Sequence, residues 1–351
     1  MRVLVASDGI GALTSAQAGA ALAAGWAGND VRVLPVGDSG RGFLTAYADL
    51  IGAEVEIAVD DGYAVTSAGA DGDVVLQVSA PDGGDSLPLT ASSRILGSAL
   101  ARVLAGPRPA RVLLDLSGLR VHDGGAGMLA GLGVRADQPL DQGVSALATI
   151  TEVDLAAAHA ALGDTALIGV VPADQTGQHL LGLRGITSLR GREAGLDPAD
   201  LLATDAALDR FARLTAADQA TVAGAGACGG LGFAVLALGG RLTTGPALAF
   251  ESEAGIRARH RVDLVVTGCS VFDFLRRGGG VVAAAAQLAS DALSPCVLIA
   301  GEVVVGAREM RTMGIEAAYA VRESSLDAPQ GAVTADELTQ TAARVARSWH
   351  W

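Results

Sequence analysis

The sequence predicts an α/β protein: a parallel sheet assembled from both ends of the chain, with a second, α+β domain inserted between the two halves. Three observations predict it. Short apolar runs alternate with alanine-rich helical stretches near the N-terminus and again towards the C-terminus, the alternation of parallel sheets covered by helices. The middle of the chain instead alternates apolar and polar residues, as half-exposed antiparallel strands do. Composition agrees: 50% of the residues are hydrophobic, only 3% are aromatic, and glycine supplies 47 of 351. That mixture suits buried strands under small-residue helices with many glycine turns.

At the N-terminal end, Arg2 to Ala6 reads as a strand closed by Ser7-Asp8-Gly9, and Ser15 to Trp26 as a helix. Arg32 to Val36 is a second strand, closed by Gly37-Asp38-Ser39-Gly40. Late in the chain, Asp263 to Val266 ends at Thr267-Gly268, and a helix covers Val281 to Ala292. Cys296 to Ala300 and Ile315 to Val321 complete the strands before a final helix, Thr334 to Trp349. Between these ends, Glu54 to Val59 and Val74 to Val78 alternate, while Asp60 to Gly72 and Ser79 to Ser86 are rich in turn-forming Gly and Asp. The expected domains are 1–60 with 241–351, and the inserted 61–240.

The formal net charge of −13 argues against nucleic-acid and anionic-membrane partners, since neither surface attracts a polyanion. All 25 basic residues are arginine. No apolar stretch is long enough to span a bilayer, and the opening residues lack the apolar core of a signal peptide, so the expected location is cytoplasmic. Cys228, Cys269 and Cys296 are too few and scattered for a disulfide framework or a zinc site. The sequence leaves the oligomeric state open, a homo-oligomer included.

Candidate chemistry lies in glycine-aspartate segments at predicted strand ends, where open α/β sheets bind ligands. They are Ser7 to Gly11, Pro35 to Gly42, His122 to Met128, and Asp263 to Gly268 followed by Asp273. A glycine loop, Gly224 to Phe233, leads into a helix. Glycines let backbone N–H groups approach a phosphate or carboxylate, and aspartates can hold Mg²⁺ or take a proton from a hydroxyl. Each segment alone is also an ordinary turn or close-packing signal, and aspartates at strand ends cap helices. A lysine-dependent phosphate loop is excluded in a lysine-free chain.

Together and in order, these segments resemble the type I glycerate kinases, which use ATP to phosphorylate D-glycerate. Val3 to Asp8 with Leu13 to Ala16 is similar to the family's opening strand and A-P-D-S-F-K-G-S-L-S-A loop. Pro35 to Gly42 resembles P-V-A-D-G-G-E-G, and His122 to Met128 the end of G-G-S-A-T-N-D-G-G-A-G-M. Gly224 to Phe233 is similar to G-A-G-A-A-G-G-L-G-F, and Asp263 to Gly268 with Asp273 to D-L-V-I-T-G-E-G-R-L-D-S-Q. The resemblance implies a flavodoxin-like domain built from both chain ends, an inserted second domain, and a cleft between them. It implies ATP and Mg²⁺ as cofactors and a glycerate-like acid as substrate. On that footing Asp8, Asp273 and Asp123 are the candidate catalytic residues, with Asp8 or Asp273 as the base. Asp38 and Asp123 are the candidate Mg²⁺ ligands. Asp38, Gly40, Arg41, Gly124, Gly125, Gly226, Gly229, Gly230 and Arg276 are the candidate nucleotide contacts.

The departures from the family pattern are specific. Gly11 stands where the first loop has lysine, and Arg41 where the second has glutamate. Ser117-Gly118-Leu119 and His122 replace Gly-Gly-Ser and asparagine. Cys269, Val271 and Leu275 replace glutamate, arginine and glutamine, and a later lysine falls near Gly280. Arg41, Arg184, Arg276 and Arg277 could supply the missing positive charge, with plain surface solubility as the alternative. Three functions follow: an ATP-dependent kinase of glycerate or a close relative; a catalytically degenerate member that binds a small anion or a protein partner without turnover; and a kinase for an altered acceptor, suggested by the apolar fourth loop.

Overall fold

The computed structural model describes residues 1–40, 42–81, 87, 89–322 and 332–349. Its strands in chain order are β1 (Arg2–Val5), β2 (Asp30–Val33), β3 (Glu56–Asp60), β4 (Tyr63–Ala70), β5 (Asp73–Ser79) and β6 (Arg111–Asp115). They continue with β7 (Arg135–Ala136), β8 (Val153–Asp154), β9 (Ala166–Val170), β10 (Arg241–Thr243), β11 (Leu264–Phe272), β12 (Cys296–Val303) and β13 (Ala317–Ala320). The chain divides into two compact units, Met1–Gly52 with Gly245–Trp351, and Ala53–Thr244. The first junction falls before residue 60 because β3 pairs with β4 and so belongs to the second unit.

In the first unit all strands are parallel, in the order β13-β12-β11-β1-β2. Successive side chains on a strand point to opposite faces, so β1 and β11 feed two cores. Val3, Val5, Leu264 and Val266 pack on one face with the helices Ser15–Gly25 and Ala335–Ala346. Leu4 and Val265 pack on the other with the helix Gly279–Asp291. Burying each such side chain stabilises the fold by about 1.5–3 kcal/mol. Thr14 with Gln17, and Thr334 with Glu337, form reciprocal capping boxes that fix where two of these helices begin. Arg2 and Asp263 join the starts of β1 and β11 through an Nη2–Oδ1 contact of 2.7 Å, which helps hold the Asp263 carboxyl down at about 2. β11 runs on to Phe272, beyond the predicted end at Gly268, because β12 continues opposite it and pairs Val271 with Glu302.

The second unit has a mixed sheet in the order β10-β9-β6-β5-β4-β3. β10, β9, β6 and β5 are parallel, and β4 and β3 are antiparallel. β4 occupies the stretch that the sequence suggested was turns. Its two Asp-Gly pairs are the turns, with φ of 49° and 80° at Asp61 and Gly62, and 52° and 86° at Asp71 and Gly72. Positive φ at both central residues gives a two-residue hairpin whose twist matches its strands. Among the described residues, no helix is long and apolar enough to cross a membrane. Cys228, Cys269 and Cys296 are free and buried.

Candidate functional site

In the first unit the chain runs from β1 to β2 on one side of β1, then returns to β11 on the other side. The strand order therefore reverses between β1 and β11, and open α/β sheets bind ligands beyond the strand ends at such a point. The parallel pairing continues past β1: Ala6 N–H donates to Val266 O (2.9 Å) and Asp8 N–H to Gly268 O (3.0 Å). The Ser270 hydroxyl fastens the loop that follows, accepting from Gly11 N–H (3.0 Å) and donating to Gly9 O (3.4 Å). Asp8 accepts its neighbour Gly9 N–H at 2.7 Å. Ser15, at the start of the first helix, donates to Ser7 O (2.7 Å) and accepts Val36 N–H (2.8 Å), locking the loops after β1 and β2 together.

Asp38 lies in the loop after β2. One of its carboxylate oxygens accepts Ser39 N–H (2.9 Å), and the other accepts Gly280 N–H (3.2 Å) in the first turn of the helix Gly279–Asp291. Asp273 accepts Arg276 N–H at 2.6 Å just beyond β11. Buried Cys269 reports the proximity of two of these acids. Burial first, and then the charges of Asp8 and Asp273, push its thiol up to about 12. The structure thus gathers Asp8, Asp38 and Asp273, all half-buried, with Ser270 around the strand ends of one sheet. Arg276 is exposed, and it is its backbone N–H that holds Asp273. The Arg277 guanidinium lies 5.8 Å from the Phe274 ring centroid, and Phe274 and Leu275 are exposed. Gly40 is exposed, and Arg41 lies outside the described residues.

The second unit corrects several expectations. Asp123 is fully buried, and its carboxylate accepts four donors: Ser93 N–H (2.8 Å), Ser93 Oγ–H (2.7 Å), Gly125 N–H (2.9 Å) and Gly127 N–H (3.2 Å). Burial raises its pKa while those donors pull it down. A carboxylate fully enclosed among four donors organises its loop and has no open face for Mg²⁺ or substrate. Gly124, Gly125 and Gly230 are likewise buried, with Gly124 N–H donating to Gly229 O (3.1 Å), so they serve close packing of two loops and do not present N–H groups to a nucleotide. Gly229 shows why glycine is needed there: its φ is 75°, and a Cβ would lie 2.0 Å from Val121 O. Cys228, beside it, holds φ of 52°, a strained conformation for a side-chain-bearing residue.

Gly226 and Gly229 border a cavity of about 490 Å³. Its charged lining is Arg120, Arg190, Asp174 and Glu193, and Gln175, Gln178 and Ser117 add neutral polar groups. Arg184 is exposed and is not part of that lining. Arg120 and Arg190 escaped the sequence analysis because they lie outside the glycine-aspartate segments. An arginine flanking such a segment in a lysine-free chain is a signal that finds Arg120, while no local pattern marks Arg190. His122 is fully buried, with Nε2 3.0 Å from Thr187 Oγ1 and no partner for Nδ1 among the described residues. Burial, and secondarily the Arg190 charge, lower its pKa to about 4, so it is neutral near pH 7.

Comparison with known proteins sets this geometry in a lineage. The chain is 31% identical to an uncharacterized protein of Mycobacterium tuberculosis, over 92% of this chain and 84% of the relative. It is 26% identical to a glycerate kinase of Bacillus subtilis, over 92% and 90%, and 27% identical to a glycerate 2-kinase of Escherichia coli, over 68% and 64%. A crystal structure assigned to glycerate kinase 2 of Salmonella typhimurium LT2 shares the fold, with a TM-score of 0.80 over 99% of this chain and 98% of that one at 23% identity. The glycerate kinase family model matches residues 3–350, and this chain belongs to that family.

Proposed function

We propose that the chain is an ATP-dependent kinase that phosphorylates a hydroxyl of D-glycerate or a related small hydroxy acid. The observation that carries this reading is the gathering of Asp8, Asp38 and Asp273 at the β1/β11 reversal of the first unit. The strand order there, 2-1-3-4-5 when its strands are counted alone, supports a flavodoxin-like first domain with the second unit as an inserted domain. The protein would work in the cytoplasm, without nucleic-acid or membrane partners.

Phosphoryl transfer needs alignment and charge stabilisation more than covalent help. Asp8 or Asp273 would accept the proton leaving the acceptor hydroxyl as its oxygen bonds to the γ-phosphorus and the bond from that phosphorus to the bridging oxygen of ADP breaks. Asp38 would hold Mg²⁺; its half-buried oxygen donors suit a hard cation, which takes one or two carboxylates and fills its shell with water and phosphate oxygens. When bound, that ion neutralises charge on the phosphates. Arg276 and Gly40 are exposed near these acids and could contact nucleotide.

A second reading, binding without turnover, is favoured by the loop after β11. There a buried, neutral Cys269 and exposed Val271 and Leu275 stand where the family has glutamate, arginine and glutamine. Purified protein with ATP, Mg²⁺ and D-glycerate separates the two. Formation of ADP and phosphoglycerate, followed by phosphorus NMR, is expected. Ligand binding without any phosphoglycerate would leave only the second reading.

A further inference from the structure

We propose that the cavity of the second unit binds the carboxylate of a small hydroxy acid, with the Arg190 guanidinium as its anchor. This rests on the acid-kinase reading for the identity of the ligand, and on Arg190 itself for the site. The Arg190 Nη1–H donates to Val121 O at 2.8 Å, and no Asp or Glu lies within ion-pair distance of this half-buried guanidinium among the described residues. Burial disfavours this guanidinium, Glu193 acts on it only from beyond ion-pair distance, and a bound anion offsets the remaining cost.

The side chain is held in place before any ligand arrives. Thr187 and Arg190 stand one turn apart on the helix Ile186–Glu193, and both touch the same loop: Thr187 through His122, and Arg190 through Val121 O. Gly229 leaves room for the head group, since a Cβ there would lie 3.2 Å from Nη1. Preorganisation of this kind lowers the ordering cost of binding. Neither arginine of the cavity belongs to the family pattern. Arg120 stands where G-G-S-A-T-N-D has alanine, and Arg190 lies beyond the glycine-aspartate segments.

The rest of the lining selects among anions. Two arginines are balanced by Asp174 and Glu193, which disfavours a triphosphate and suits a single negative charge. The Ser117 hydroxyl donates to Asp115, leaving its oxygen to accept a ligand hydroxyl. Gln175 Oε1 accepts Cys228 N–H, leaving its amide N–H groups to donate, while Gln178 donates to two carbonyls and keeps its oxygen as an acceptor. One cation anchor with nearby donors and acceptors matches a carboxylate that carries hydroxyl groups. The cavity volume falls within the range of small-molecule sites.

The test is calorimetric titration of the full chain, without nucleotide, with D-glycerate and with glycerol. The native protein should bind D-glycerate and not glycerol. Arg190→Gln should weaken binding roughly 10- to 100-fold, the scale of a lost charge-assisted contact. Arg190→Lys, which keeps the charge without the fork, should fall between the two. Arg192→Gln, an exposed change on the same helix, should bind as the native protein does. If Arg190→Gln is misfolded by thermal melting, Arg190→Lys carries the test alone. Unchanged glycerate affinity in a folded Arg190 variant, absence of glycerate binding by the native protein, or a loss confined to ATP titrations would each overturn the assignment. Binding lost in Arg190→Gln in a protein with no phosphoryl transfer would uphold the assignment and remove the kinase reading. Turnover with an unaltered KM for glycerate in that variant would do the reverse.

Discussion

The carboxylate of Asp123 receives both the backbone N–H and the hydroxyl of Ser93, at 2.8 and 2.7 Å, inside a fully buried pocket. Ser93 Oγ in turn accepts Met128 N–H at 2.8 Å, so one acid and one hydroxyl set the start of the helix Ala126–Gly131.

Asp123→Ala should therefore act on stability. It strands several buried donors, and we expect a loss of about 3–5 kcal/mol, read as a lower urea midpoint at unchanged slope. A variant that kept its midpoint and lost only turnover would return Asp123 to the catalytic set.

Asp273→Asn and Asp8→Asn address the half-exposed acids at the strand ends. The variant that removes the general base should lower kcat by about 100- to 10,000-fold. Melting should change little, because these side chains keep access to water. Full activity in both variants would rule out either acid as the base.

His122 gives the fold a pH signature. Its pKa is lowered from 6.5 to about 4, so between those values the unfolded chain holds a proton that the folded chain does not. Stability should be independent of this group above pH 6.5 and fall as pH drops towards 4, by a total on the order of 3 kcal/mol. Denaturant titrations of His122→Asn across that window should show a shallower fall. An identical slope in variant and native protein would contradict the burial argument.

Ser15→Ala tests the lock between the loops after β1 and β2. Removing the hydroxyl leaves buried Val36 N–H without its acceptor and Ser7 O without its donor, at a cost of about 1–3 kcal/mol. With the loop that carries Asp8 loosened, kcat should also fall, whereas a variant indistinguishable in both readouts would show that the lock is dispensable.

By itself the sequence determined the local elements and the lineage. Alternation and turn residues placed β1, β2, β12 and the helices around them, and the ordered glycine-aspartate segments pointed to the family, because periodicity and turn chemistry are set by neighbours a few residues apart. Even so, β4 was read as turns, since its two flanking Asp-Gly pairs outweighed the eight-residue strand between them. Tertiary structure decided which polar groups are available for chemistry. Asp123 is consumed by Ser93, 30 residues away; Asp38 meets Gly280 across 242; and Arg190 is aimed by Val121 across 69. Burial and pairing arise from contacts between distant parts of the chain, and a local pattern in the sequence carries no record of which carboxylate will be enclosed or which guanidinium will be left to meet a ligand.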